Sequence, residues 1–125
     1  DKIWILNLNS YRNTHFQILN QAKETYKALV SDAYFYYCNL PGNKTLPPPP
    51  YRFCYTVYPG NARKFDLGNV CSIIDKFTAD ALQDLGVITN DDYKHIPRIE
   101  FFFGHVDRNN PRCELEIIPI SKKEP

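Results

Sequence analysis

Three acidic residues and one lysine have types and spacing that could do chemistry together. Asp66 sits in "KFDLGN", just ahead of a run with helical spacing, and Asp91 and Asp92 sit in "ITNDD", just beyond it. Lys76 lies inside the run. Carboxylate oxygens are the donors that a hard cation such as Mg2+ prefers. A cation with a lysine beside it can neutralise the charge that builds on a phosphate during hydrolysis. The same residues admit plainer roles. Asp66 can cap the helix and complement its dipole, "NDD" can be a polar turn, and Lys76 with Asp80 can be a surface i,i+4 pair.

The element that must position these groups is a helix from about Asn69 to Leu85, ended by Gly86. Its apolar face is Val70, Ile74, Phe77, Ala81 and Leu85. Asn69, Ile73, Lys76 and Asp80 form a second stripe, because steps of four and three residues keep nearly the same azimuth. The helix exit lies about 25 Å from its start. The segment "VITNDD" covers only part of that distance on its way back. Spacing alone therefore does not bring Asp91 to Asp66. A neighbouring strand or a second subunit would have to do so.

The remaining elements frame this helix. Residues 2–8, "KIWILNL", read as a strand. From Thr14 the positions Leu19, Ala22, Tyr26, Leu29 and Val30 give a helix of about four turns, capped by Asn13 or Thr14. A proline-rich connector follows at about 41–50, ending in four prolines that cannot join a central strand. "YRFCYTVYPG" is a second strand. "IPRIEFFFGHV" and "RCELEIIPI" are two more, joined by the turn signal "DRNNP". Residues 121–125 are a polar tail. The order β-α-β-α-β-β predicts one domain over 1–125, α+β or mixed α/β, with helices packed on one sheet.

Composition narrows the function classes. The 125 residues carry a formal charge of +1, which argues against simple electrostatic DNA coating. No run approaches the ~20 apolar residues of a membrane span. Four cysteines, Cys38, Cys54, Cys71 and Cys113, lack zinc spacing and predict reduced thiols in a reducing compartment. The sequon "NKT" at Asn43 stands without other signs of secretion. His15 and His105 read as structural, and His95 could serve structure or a proton shuttle.

The ordered set of motifs resembles the RusA family of Holliday-junction resolvases, in its phage-type branch. "DLGN" at Asp66–Asn69, Lys76, "DAL" at Asp80–Leu82, Gly86 and "NDD" at Asn90–Asp92 carry the likeness, with "LNLNSYR" before and "NPRCELEI" after. The stretch between Asn69 and Lys76 is longer than in the bacterial prototype by about one helical turn, which keeps the stripe in phase. Gly68 stands where the prototype has a second aspartate.

The resemblance implies a homodimeric, Mg2+-dependent endonuclease, with Mn2+ as a substitute, that cuts four-way DNA by paired nicks. Asp66, Asp91 and Lys76 would be catalytic. Asp66, Asp91 and Asp92 would be metal ligands, with Asp75 and Glu100 as further candidates to replace the missing aspartate. Asn69 would order the turn that presents Asp66. Arg12, Arg63, Lys64 and Lys94 would contact DNA. Such a protein would act in the cytoplasm of a bacterial host, with neither a membrane nor a small-molecule substrate. The alternative is a RusA-like protein that binds branched DNA or a host protein without cutting.

Overall fold

The computed structural model describes residues 4–8, 19–40 and 46–120. Arg12, His15, Asn43, the first half of the proline-rich connector and the tail lie outside them. Six elements follow in order: β1 (Trp4–Leu8), α1 (Leu19–Cys38), β2 (Tyr51–Tyr58), α2 (Leu67–Asp84), β3 (Arg98–Phe103) and β4 (Arg112–Pro119). They form a mixed α+β domain, the class that the pattern predicts.

The four strands lie in the order β1-β4-β2-β3. β4 is antiparallel to both β1 and β2, whereas β3 is parallel to β2. The turn "DRNNP" therefore does not close a hairpin. It carries the chain past the end of β2, which separates β3 from β4. Asp107 and Arg112 brace that crossing at 2.8 Å, and the Arg112 guanidinium lies 4.0 Å above the Tyr58 ring. Gly104 is required here, because a Cβ would come within 2.4 Å of that ring.

Strand alternation divides the sheet into two faces. Phe53, Tyr55 and Val57 of β2 and Cys113, Leu115 and Ile117 of β4 are fully buried, each at the odd-numbered positions of its strand. Ile74, Leu82 and Cys71 of α2 and Val30 of α1 complete one hydrophobic core with them. α2 has the predicted apolar face, with Ile74, Phe77 and Ala81 buried and Val70 and Leu85 packed at its margin. Gly86 takes the expected left-handed conformation at φ 75°.

α1 runs to Cys38, eight residues beyond the predicted Val30. The three-and-four spacing in fact continues through Ala33, Tyr34, Tyr37 and Cys38, which pack against the core. α1 covers β1 and contacts α2, and α2 also reaches β3. The prolines before β2 are fastened rather than free, as the Tyr51 hydroxyl donates to the Pro47 carbonyl and Ile120 N donates to Pro50 O.

The thiols are free, with Cys54, Cys71 and Cys113 buried. Burial pushes Cys71 up to about 11 and Cys113 further upward. No described helix is long and apolar enough to cross a membrane.

Candidate functional site

Asp66 is the N-cap of α2. Its backbone is extended at φ −86° and ψ 112°, and its Oδ1 accepts from Asn69 N at 3.2 Å. Asn69 thus orders this turn through its backbone N–H. The remaining oxygen of Asp66 makes no hydrogen bond among the described residues, and the side chain is exposed. Gly68, the next residue but one, needs no glycine for its backbone, and a Cβ there would meet only Asp66 Oδ1, at an ordinary 3.5 Å.

Arg63 and Lys64 lead into this cap and form no ion pair among the described residues. They border an apolar cavity of about 450 Å3 whose other walls include Pro59, Phe65, Leu67, Phe103 and Val106. The Phe65 and Phe103 rings lie 6.3 Å apart there. Positive charge, flat apolar surface and a carboxylate thus meet at the start of α2.

The opposite end of the helix is built differently. α2 has 18 residues, a length of about 27 Å. Asp92 is engaged through one oxygen: its Oδ1 accepts from Lys94 N at 3.1 Å, His95 N at 3.2 Å and His95 Nδ1 at 2.6 Å. These donors, His95 foremost, hold its carboxyl below the usual range. The other His95 nitrogen contacts Thr89 Oγ1 at 3.1 Å, and His95 O accepts from Tyr51 N. His95 ties this turn to β2.

Asp91 is exposed and makes no hydrogen bond among the described residues. Its charge acts on Asp75, the half-buried carboxyl that accepts from the Tyr55 hydroxyl at 2.6 Å. Burial raises the Asp75 pKa, with Asp91 and Asp80 adding to the rise. Asp91 therefore comes back toward the middle of α2. Asp75 is nine residues from Asp66, about 13 Å along the helix.

Within one chain, then, Asp66 stands apart from Asp91 and Asp92. No described group of three or more His, Cys, Asp or Glu side chains is placed to hold a metal ion. Of the further ligand candidates, Asp75 is committed to Tyr55. Glu100 lies on the sheet face away from α2, paired with Arg52 at 3.4 Å and Arg98 at 3.8 Å and accepting from Cys54 Sγ.

Lys76 is exposed on α2 and forms no ion pair among the described residues, so the surface pair open to it with Asp80 is not made. Lys94 lies in the turn at the far end, away from Arg63 and Lys64. The cavity and its two phenylalanines escaped the sequence reading. The adjacent "RKF" and the run "EFFF" were the available signals, because three successive aromatics in a strand cannot all face one core.

Comparison with known proteins finds no family model and no curated protein that matches the chain.

Proposed function

We propose that this protein is a structure-specific endonuclease that hydrolyses phosphodiesters in four-way DNA with Mg2+, working as a homodimer inside a bacterial host cell. The reading rests on the resemblance to RusA proteins. The observation that supports it is the exposed Asp66 at the start of α2, with Arg63 and Lys64 beside it and an apolar cavity next to them.

A DNA strand needs this kind of surface. Arg63 and Lys64 suit the phosphates, as unpaired cations do without reading sequence. Phe65 and Phe103 offer rings on which a splayed base can rest. Asp66 retains one oxygen for a cation, and Mg2+ is commonly bound by one or two carboxylates while keeping several waters. When bound, the cation would supply charge neutralisation at the phosphate. Lys76 would act from the same helix as a point charge.

The test is cleavage of a synthetic four-way junction with and without Mg2+, with linear duplex as the control. Paired, metal-dependent nicks confined to the junction are expected. A protein that binds the junction tightly yet never nicks it would leave the second reading, a binder of branched DNA. Gly68 in place of an aspartate favours that alternative. Neither binding nor nicking would end both.

A further inference from the structure

Register sets Phe103, the last residue of β3, beside Val57 on the core face of the sheet. Val57 is fully buried, yet Phe103 is 53 % exposed, and Phe65, ahead of α2, is 38 % exposed. Single exposed apolar side chains are ordinary. These two come together, with ring centroids 6.3 Å apart and ring planes tilted by 48°, as adjoining walls of one cavity. Its volume of about 450 Å3 falls in the range of sites that enclose a small ligand group.

Backbone hydrogen bonds hold the walls in place. Gly104 N donates to Val57 O at 2.9 Å and Asp107 N to Pro59 O at 2.8 Å, which ties the segment after β3 to the segment after β2. Within the latter, Asn61 Oδ1 accepts from Arg63 N at 2.9 Å. That bond fixes the turn that brings Arg63 and Lys64 to the rim. It also leaves the Asn61 amide N–H groups, which have no partner among the described residues, able to donate into the cavity mouth. A site built this way need not order a loop when it binds.

The walls and the rim specify an occupant. Aromatic walls favour a flat partner. The two rim cations, without an acidic partner among the described residues, favour an anion close to it. A nucleotide joins both parts. A base pair inside a duplex cannot enter, because its faces are covered by neighbouring pairs, whereas a base turned out of the stack can. The stack is interrupted where strands exchange in a four-way junction, so removal of a base costs least there.

We propose that this cavity seats one unpaired base of a DNA strand, with the adjoining phosphate on Arg63 and Lys64. The inference rests on the nucleic-acid reading of the same surface, though not on cutting. It makes the cavity a selecting element: linear duplex, with every base stacked, does not offer the group that the cavity takes.

The test removes bases one at a time, as abasic sites, around the point of strand exchange of a synthetic junction. Affinity is read by fluorescence anisotropy in the absence of Mg2+, so that no cutting intervenes. For the parent, one position should lower affinity about tenfold, because the contact of that base with the rings is lost. Phe103→Ala, at an exposed position, should bind the intact junction about tenfold more weakly and be indifferent to the abasic site. Phe103→Trp should recover both the affinity and the difference. Circular dichroism should be the same for all three proteins. 2-Aminopurine at the selected position should brighten when the parent binds and stay dim with Phe103→Ala.

Equal affinity of the parent for every abasic junction, in a protein that cuts, would overturn the seated base and leave the endonuclease standing. So would an abasic penalty that Phe103→Ala retains. A penalty removed by Phe103→Ala, in a protein that never nicks, would retire the endonuclease and uphold the cavity. Free thymidine monophosphate should compete only weakly. If it binds as tightly as the junction, the occupant is a small ligand and the DNA assignment is overturned. No binding to any of these DNAs would overturn both readings.

Discussion

At the start of α2, the Asp66 carboxylate accepts one hydrogen bond, from Asn69 N, and the neighbouring Arg63 and Lys64 have no acidic partner among the described residues. Past its end, the Asp92 carboxylate accepts three hydrogen bonds on Oδ1, His95 is held from both ring nitrogens, and the turn is tied to β2 through Tyr51. Both aspartates are cap-like residues flanking one helix. One is held by a single donor among unpaired cations, and the other gathers three donors on one oxygen. A carboxylate that gathers several local donors contributes stability, while one held by a single donor among unpaired cations is available to a ligand. By that criterion Asp66 is open to a ligand, and Asp92 serves the scaffold.

The comparison is broken most directly at Asp91. Asp91→Asn should lower junction cleavage by about 100-fold or more and leave the melting temperature where it was. A clear fall in melting temperature would make Asp91 structural, like its neighbour, and the contrast would collapse.

Asp92→Asn should do the reverse, lowering the melting temperature at neutral pH. Its sign with pH follows from the depressed folded pKa. The stabilisation is fully present above the ordinary carboxylate pKa of about 3.9 and is lost as pH falls through the lower folded value. Parent and variant should therefore converge in strong acid. A gap independent of pH would assign the loss to packing.

Asp66 separates the two roles by choice of substitute. Asparagine caps as well as aspartate, so Asp66→Asn should be as stable as the parent, whereas Asp66→Ala should cost about 1 kcal/mol. Both should lose cleavage. Residual cutting in Asp66→Asn would restrict this residue to capping.

The smallest effect is expected at Gly68. Gly68→Asp fits without a clash and should stabilise α2 by about 0.5–1 kcal/mol, by removing a glycine and adding negative charge to the first turn. It should also tighten Mn2+ binding, measured by calorimetry. Unchanged binding would mean that Asp66 does not contact the metal.

Most of the architecture was legible because burial is periodic. Phe53, Tyr55 and Val57, or Ile74, Phe77 and Ala81, follow the period of their element and end up inside. The C-terminal half of α1 is equally periodic, but the positions read from the sequence stop at Val30, ahead of the four aromatics that lead to the proline-rich stretch. The β3–β4 relation was hidden for a different reason. A turn signal states that the chain reverses, and says nothing about which strand slips in between.

The candidate site was legible only in its residue types. Asp66 and Arg63 with Lys64 are adjacent in sequence and remain together. Asp91 is separated from them by a rigid helix, whose length is readable but whose partners are not. Glu100 was misjudged because a strand residue belongs to the face set by its register, and Glu100 falls on the one opposite α2.

The sealed sulfurs have a use of their own. Cys54, Cys71 and Cys113 sit on β2, α2 and β4, while Cys38 is closer to the surface. With the Cys71 thiol near 11, on the order of one molecule in ten thousand carries the reactive thiolate at neutral pH. Alkylation should therefore mark Cys38 first and the inner three only when their elements part. The native chain thus contains a clock for its own opening, readable by mass spectrometry without a label or a substitution.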